Sequence, residues 1–200
     1  MLDVAVQRPE LTMPPAEAAH LRAVYGAASV ILEYGSGGST VVAAEMPGKR
    51  VTTVESDKAW AGKMRRWFDA NPPAAGSSVD VVWCDVGPTG DWGRPSDDSA
   101  WRKFPRYPLA VWQREGFEHP DVVLVDGRFR VGCLLATAVS VTRPVTVLFD
   151  DYAHRERHHQ VEEFVGAPRA MIGRMAEFAV APMTVSGAQM LQFIRFMLRP

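Results

Sequence analysis

Five short apolar segments of this sequence each end in an acidic residue. The five acids are Glu33, Glu55, Asp85, Asp126 and Asp150. Carboxylates accept hydrogen bonds from hydroxyl and amino groups, and they also bind cations. If the five segments are neighbouring strands, their acids meet at one edge, where like charges repel unless a bound group offsets them. The pattern therefore indicates a ligand rich in hydroxyl or amino groups, or a cation.

The first segment runs directly into a cluster of glycines. In "ILEYGSGGST", Gly35, Gly37 and Gly38 fall within four positions, which suits a turn whose backbone a ligand can approach. A dinucleotide-binding turn reads G-x-G-x-x-G, with an acid about 20 residues later for the ribose. Glu55 has that spacing from Gly35, but Thr40 stands where the third glycine belongs. The motif permits a nucleotide cofactor and argues against NAD, with a purely structural turn as the simpler alternative.

Composition limits the classes of function. The chain has 200 residues, 47% of them apolar, and a formal net charge of -1, so general nucleic-acid binding is disfavoured. Cys84 and Cys133 lie in apolar runs and cannot form a disulfide framework, which suits a reducing cytoplasm. We expect neither a secretory signal nor a membrane-spanning segment.

The acids are positioned by an alternation of strands and helices. Four helices are predicted between or before the strands, with a fifth after the last one. The strand segments are continuous apolar runs, which is typical of parallel strands covered by helices on both faces. We therefore predict a doubly wound α/β fold. The strands are "SVILEYG", "RVTTVES", "VDVVWCD", "PDVVLVDG" and "VTVLFDD".

The C-terminal region departs from this alternation. "RMAEFAVAP" and "QMLQFIRFML" both have strand-like composition, and the short "MTVSGA" between them leaves no room for a crossover helix. We predict that they form an antiparallel hairpin, which gives a seven-stranded, mostly parallel sheet. Residues 1–200 are predicted to form one domain, with residues 87–117 as an insertion or lid between the third and fourth strands.

These features together resemble class I S-adenosylmethionine-dependent methyltransferases. The resemblance rests on "VILEYGSGGST", on the spacing to Glu55 and on the closing hairpin. It implies that Gly35 and Gly37 approach the methionine part of the cofactor, and that Glu33 contacts its ammonium group. Glu55 would bind the ribose hydroxyls, and Asp85 the adenine amino group. The cofactor-binding residues implied are Glu33, Tyr34, Gly35, Ser36, Gly37, Glu55, Ser56, Cys84, Asp85 and Asp126.

The acids after the fourth and fifth strands also suggest a metal. Asp126, Asp150 and Asp151 resemble the ligand set of metal-dependent, catechol-type O-methyltransferases, although Asp151 stands where that family has an amide. Mg²⁺ would then be a second cofactor, lowering the pKa of a substrate hydroxyl. The alternative is that Asp150 caps a turn and Asp151 is solvated.

The segments after the same two strands contain further candidates. Asp126, Asp150 and His154 are predicted as catalytic residues, with His154 as a general base. Arg128, Arg155 and Trp92 are predicted to bind the substrate, because guanidinium groups suit carboxylate or phosphate. Equally, the arginines can pair with the neighbouring acids.

The function predicted from these residues is methyl transfer from S-adenosylmethionine to an oxygen or nitrogen of a small, anionic molecule. Two alternatives stay open: a non-catalytic or regulatory S-adenosylmethionine-binding protein, and an NAD-dependent oxidoreductase. The expected partner is a small-molecule substrate, with neither nucleic acid nor membrane, and the sequence leaves the oligomeric state open.

Overall fold

A computed structural model describes residues 7–200 of the chain. Its centre is a seven-stranded sheet in the order β3-β2-β1-β4-β5-β7-β6. The first five strands are parallel, and β7 runs antiparallel to both β5 and β6. The predicted fold class is confirmed. The strands are β1 Val30–Tyr34, β2 Arg50–Glu55, β3 Ser78–Trp83, β4 Val122–Val125, β5 Val145–Phe149, β6 Ala170–Ile172 and β7 Met175–Val180.

Helices cover both faces of the sheet, so the central strands are buried on both sides, as their continuous apolar composition predicts. Three short 3₁₀ turns lie between β3 and β4. Within the described residues, no helix is long and apolar enough to cross a membrane. The helices are α1 Pro15–Ala27, α2 Gly38–Ala44, α3 Lys58–Ala70, α4 Arg106–Leu109, α5 Arg130–Ser140, α6 Glu156–His159, α7 Glu162–Val165 and α8 Gly187–Met197.

The strand register brings the predicted site residues to one edge. Tyr34 at the end of β1 lies opposite Val54 of β2 and Val125 of β4. The residues that follow these strands therefore meet at the carboxyl edge of the sheet. The first turn of α3 begins beside them, where the Asp57 side chain accepts a hydrogen bond from the Trp60 N–H at 2.8 Å, as an N-cap does.

The hairpin exists, but one of its two predicted strands is wrong. "RMAEFAVAP" contains β7, whose partner is the upstream strand β6, and "QMLQFIRFML" forms α8 instead. A capping box starts this helix, since Ser186 and Gln189 bond to each other across its first turn. Phe196 and Met197 then pack on α5, so tertiary contacts favour a helix despite the strand-like composition.

The segment between β3 and β4 has two parts. Residues 88–103 run along the carboxyl edge of the sheet, where Ser56 Oγ donates to the Gly93 carbonyl at 2.7 Å. Residues 104–113 pack on one face of the sheet, where Phe104, Tyr107 and Val111 are buried in the same core cluster as α5. The second part therefore serves as the crossover that connects two parallel strands.

The packing of α8 on α5 gives a stability prediction. A Cβ at Gly132 would lie 2.8 Å from the Phe196 carbonyl oxygen, a backbone atom that cannot move without shifting α8. We expect Gly132→Ala to lower the free energy of unfolding by about 1–3 kcal/mol. Gly26→Ala is the matched control, because no described atom lies within 4 Å of a Cβ at that helical position. It should stabilise by up to ~1 kcal/mol. Urea denaturation measures both, and equal effects would contradict this packing.

Candidate functional site

The glycine turn after β1 is built by close backbone contacts. Gly35 has a φ of +101°, and a Cβ there would lie 2.8 Å from the Gly127 Cα. The Gly127 N–H in turn donates to the Tyr34 carbonyl at 2.6 Å, so the turns after β1 and β4 touch. Gly37 differs, because no described atom lies within 4 Å of its Cβ position. The open space on this turn is therefore over Gly37, where a ligand can approach the backbone.

Glu33 supports the turn from below. Its carboxylate is buried and accepts hydrogen bonds from Tyr25 Oη at 2.7 Å and from Thr40 Oγ1 at 2.5 Å. Thr40 Oγ1 accepts in turn from the Gly37 N–H at 3.0 Å. Burial raises the pKa of Glu33, an effect that these hydrogen bonds oppose. Glu33 therefore fixes the position of Gly37, and its oxygens are engaged within the protein. The residue that departs from the dinucleotide motif, Thr40, is the link between them.

Glu55 at the end of β2 joins the turn to the neighbouring strand. Its Oε2 accepts from both the N–H and the hydroxyl of Ser36, at 3.2 and 3.0 Å. Its Oε1 accepts from the Asp57 N–H at 2.8 Å. Burial raises the pKa of this carboxyl as well. Gly93 lies directly over the group, since a Cβ there would approach Oε1 to 3.1 Å and Ser56 Oγ to 2.5 Å.

The residues at the end of β3 have different surroundings. The Cys84 thiol is buried, which raises its pKa to about 11. The partly exposed Asp85 accepts from Lys103 Nζ at 2.7 Å, and this bond lowers the pKa of Asp85. Tyr34 points away from the edge into the core, where its hydroxyl donates to the Pro108 carbonyl at 2.6 Å. Only the backbone of Tyr34 is available at the site.

An arginine connects the ends of β4 and β5. The Arg130 guanidinium is buried and donates to the carbonyls of Asp150 and Asp126, at 2.6 and 2.7 Å. It also lies 3.2 Å from carboxylate oxygens of both Asp126 and Asp151. One side chain thus compensates two of the three acids predicted as metal ligands.

The remaining acid contacts are also made by arginines. Arg174, in the turn between β6 and β7, binds both oxygens of the buried Asp150 at 3.0 and 2.8 Å. Arg155 donates to Asp151 at 2.6 Å, and Asp151 itself has a left-handed φ of 56°.

The magnesium prediction is not supported by this geometry. Among residues 7–200 no group of three or more His, Cys, Asp or Glu side chains could hold a metal ion. The physical reason is that guanidinium groups occupy the positions around Asp126, Asp150 and Asp151 that a cation would need. The expectation that the arginines after β4 and β5 pair with neighbouring acids is met by Arg130 and Arg155, and Arg174 of the hairpin turn makes a further pair.

Asp126 is the most exposed of these three acids. Its side chain is 34% exposed, whereas that of Asp150 is fully enclosed. Burial of the rest of the carboxyl raises its pKa to about 7, the charges of Asp150 and Asp151 raise it further, and Arg130 opposes both. Asp126 therefore exchanges a proton near neutral pH while facing the edge of the sheet.

A cleft of about 400 Å³ lies beside these acids. Two of the residues predicted to bind the substrate, Arg128 and Arg155, line it. The third, Trp92, is not in its lining, and its side chain is 83% exposed. His154 is also exposed, whereas His158, four residues later, is buried in the wall of the cleft.

No protein-family model and no curated protein matches this chain. A solved structure of a methyltransferase-like protein from Silicibacter pomeroyi DSS-3 is 67% identical, with a TM-score of 0.94, and the match covers 96% of this chain and 99% of that chain. The chain belongs to the same family as this methyltransferase-like protein. The recognition from the sequence is thereby confirmed.

More distant methyltransferases share the fold of this methyltransferase-like protein. The O-methyltransferase TomG from Streptomyces achromogenes is 17% identical with a TM-score of 0.52, over 88% of this chain and 82% of that chain. An O-methyltransferase from Bacillus cereus is 17% identical with a TM-score of 0.53, over 86% of this chain and 82% of that chain. At this identity the likeness concerns the fold alone.

Two residues of the methyltransferase-like site were missed from the sequence: Arg174, which binds Asp150, and Arg199, which lines the cleft. Arg130, Arg157 and His158 also organise the acids or line the cleft, and they lie in the segments after β4 and β5 whose arginines and histidines the sequence does indicate. The sequence carries no signal for Arg174, whose contact with Asp150 depends on the hairpin register.

The pKa of Asp126 predicts a pH effect on stability. An unfolded aspartate titrates near pH 4. Because the folded pKa is about 7, the folded state binds this proton more tightly, and the resulting stability is lost as pH rises from 4 through 7. Asp126→Asn removes this loss. Between pH 5 and 8 we expect wild type to lose on the order of 1 kcal/mol relative to the variant, since the group is partly solvated.

Thermal unfolding across this pH range checks the difference. Other titrating groups, including His158, are common to both proteins and cancel. Asp85→Asn is the matched control, because Lys103 lowers the pKa of Asp85 and this acid stays ionised throughout. Parallel profiles for wild type and Asp126→Asn would refute the assigned pKa.

Proposed function

We propose that this protein transfers a methyl group from S-adenosylmethionine to an oxygen or nitrogen of a small molecule bound at the ends of β4 and β5. The observation that carries the proposal is the junction of Ser36 with Glu55. Through it, the glycine turn and the acid of the neighbouring strand form one surface, suited to the amino-acid and ribose parts of a nucleoside cofactor. The TomG structure contains S-adenosylmethionine and the Bacillus cereus structure contains S-adenosylhomocysteine, which supports this choice of cofactor.

The residues present fit such a cofactor if the turn over Glu55 can move. The space over Gly37 admits a ligand to the backbone, and Asp85 is partly exposed at the next strand end. Glu55, however, is covered by the turn Asp91–Gly93. We propose that this turn, part of the lid predicted for residues 87–117, moves away from Glu55 when the ribose hydroxyls bind. Glu33 then acts indirectly, by fixing the turn through Thr40.

The main contribution of the protein to methyl transfer would be to align the acceptor atom with the methyl group. When bound, S-adenosylmethionine supplies a methyl group on a positively charged sulfur, so no protein nucleophile is needed. Asp126 faces the edge of the sheet and is held by Arg130 at 3.2 Å. We assign it to bind the attacking hydroxyl or amino group and to accept its proton. Asp150 is buried against Arg174, so we assign it a positioning role.

Ligand-induced stabilisation tests the proposal. We expect S-adenosylmethionine and S-adenosylhomocysteine to raise the melting temperature, by the equivalent of about 2.7 kcal/mol at a hundredfold excess over Kd. Glu55→Gln should weaken binding about tenfold or more, because the amide offers one acceptor oxygen instead of two. Glu118→Gln is the matched control, since Glu118 forms an exposed ion pair with Arg50. Stabilisation by NAD alone would favour an oxidoreductase, and absence of any shift would overturn the proposal.

The covering turn gives a separate prediction. Alanine at position 93 would clash with Ser56 Oγ, and the φ of +68° there disfavours any side chain. We expect Gly93→Ala to displace the turn from Glu55 and to tighten S-adenosylhomocysteine binding several-fold in calorimetric titration. Gly90→Ala is the control, because its Cβ position is open and its φ is -101°. Weaker binding by Gly93→Ala than by Gly90→Ala would mean that the turn forms part of the cofactor site instead of blocking it.

A further inference from the structure

The cleft beside Asp126 contains more positive charge than its acids compensate. We call the four arginines concerned, together with His158, the arginine pocket. Within the described part of the chain, none of the four has a carboxylate within ion-pair distance, in contrast to Arg130, Arg155 and Arg174. The four are Arg94, Arg128, Arg157 and Arg199.

The four arginines come from separate parts of the chain. Arg94 follows the covering turn, Arg128 follows β4, Arg157 lies in α6, and Arg199 follows α8. Desolvation lowers the pKa of Arg157, and the charges of Arg155, Arg94, Arg130 and Arg199 lower it further. The fold therefore holds like charges close enough to repel one another, at a cost that a bound anion would offset.

Two buried polar atoms of the arginine pocket have no hydrogen-bond partner. They are Arg128 Nε and His158 Nδ1. His158 is only 5% exposed, and buried polar groups are normally hydrogen-bonded. Burial, reinforced by the charges of Arg130, Arg157 and Arg155, lowers the pKa of His158 to about 3, so the ring is neutral. Arg128 Nε–H is therefore a donor that a ligand can use, and His158 Nδ1 is a polar atom that donates or accepts according to the tautomer of the neutral ring.

The walls limit the kind of anion. Phe129, Phe196 and Leu198 give the cleft an apolar side suited to a carbon skeleton, and the one described acidic side chain in its lining is the exposed Asp98. The cleft is partly open to solvent, and its volume of about 400 Å³ suits a small molecule. A monoanion would leave most of the charge uncompensated, whereas a group with two negative charges and several oxygens can reach several guanidinium groups at once.

We propose that the arginine pocket binds a dianionic oxyanion group, a phosphomonoester or a dicarboxylate, carried by the molecule that is methylated. The observations on the arginine pocket support dianion binding by themselves. That the dianionic group belongs to the methyl acceptor rests on the proposed function. The acceptor's apolar part would lie against Phe129 and its reactive hydroxyl or amine would reach Asp126.

Calorimetric titration and thermal shift with inorganic phosphate, malonate and acetate test the site, at ionic strength held constant with chloride. We expect phosphate or malonate to bind at least tenfold more tightly than acetate. A preference between the two distinguishes a phosphomonoester from a dicarboxylate. Equal weak effects of all three anions would overturn the proposal.

Variants locate the binding. Arg157→Gln should weaken dianion binding at least tenfold and raise the melting temperature without ligand, because it relieves repulsion. Arg128→Lys keeps the charge but removes the Nε–H that has no partner, and His158→Phe removes Nδ1. We expect each variant to bind the dianion several-fold more weakly. Arg22→Gln, on the exposed side of α1, removes the same charge elsewhere and should leave binding unchanged. An anion response equal in Arg157→Gln and Arg22→Gln would refute the site.

The anion titrations and the cofactor thermal shifts can be interpreted separately. Dianion binding without any shift by S-adenosylhomocysteine would support the pocket and overturn the proposed function. A shift by S-adenosylhomocysteine without dianion binding would keep the proposed function and overturn this inference.

Discussion

The buried guanidinium of Arg130 holds together the edge on which the site is built. It donates to the carbonyls of Asp150, Asp126 and Gly127, which are backbone groups from the ends of two strands. Carbonyls that follow a strand have no ladder partner and need a donor when buried. A planar fork with five N–H groups on three nitrogen atoms reaches these separated carbonyls, whereas the three donors of a lysine ammonium all lie on one atom. The turn after β4, and with it Asp126 and the wall of the cleft, takes its shape from this side chain.

The same guanidinium determines how charge is divided across the edge. Because Arg130, Arg155 and Arg174 pair with Asp126, Asp150 and Asp151, three positive charges offset three negative ones at this edge without a bound cation. Among the residues described, none of these acids pairs with the four arginines of the arginine pocket, and the one acidic side chain in the cleft lining is Asp98. The formal net charge of -1 for the whole chain conceals this local excess. Arg94, Arg157 and Arg199 are exposed, so water screens much of this excess charge, and a bound anion would compensate it further.

The fold class could be predicted from the sequence because the strands are apolar on both faces and the glycine turn is formed by consecutive residues. It was misleading for α8, where Phe193, Ile194 and Phe196 favour a strand by composition. The local signal for a helix is the spacing of Ser186 and Gln189, which forms a capping box. The site was predictable only in part, since positions at strand ends follow from topology, whereas side-chain partners depend on the whole fold.

One chain segment belongs to both halves of the site. Gly93 covers Glu55, where the cofactor is proposed to bind, and the next residue, Arg94, lines the arginine pocket. Adjacent residues share a peptide plane, so a displacement of one reorients the other. The hydrogen bond from Ser56 to Gly93 opposes that movement from one side, and repulsion among the arginines acts on Arg94 from the other. If an anion draws Arg94 inward, the same movement would shift Gly93 over Glu55, so the two proposed binding events would influence each other through this segment.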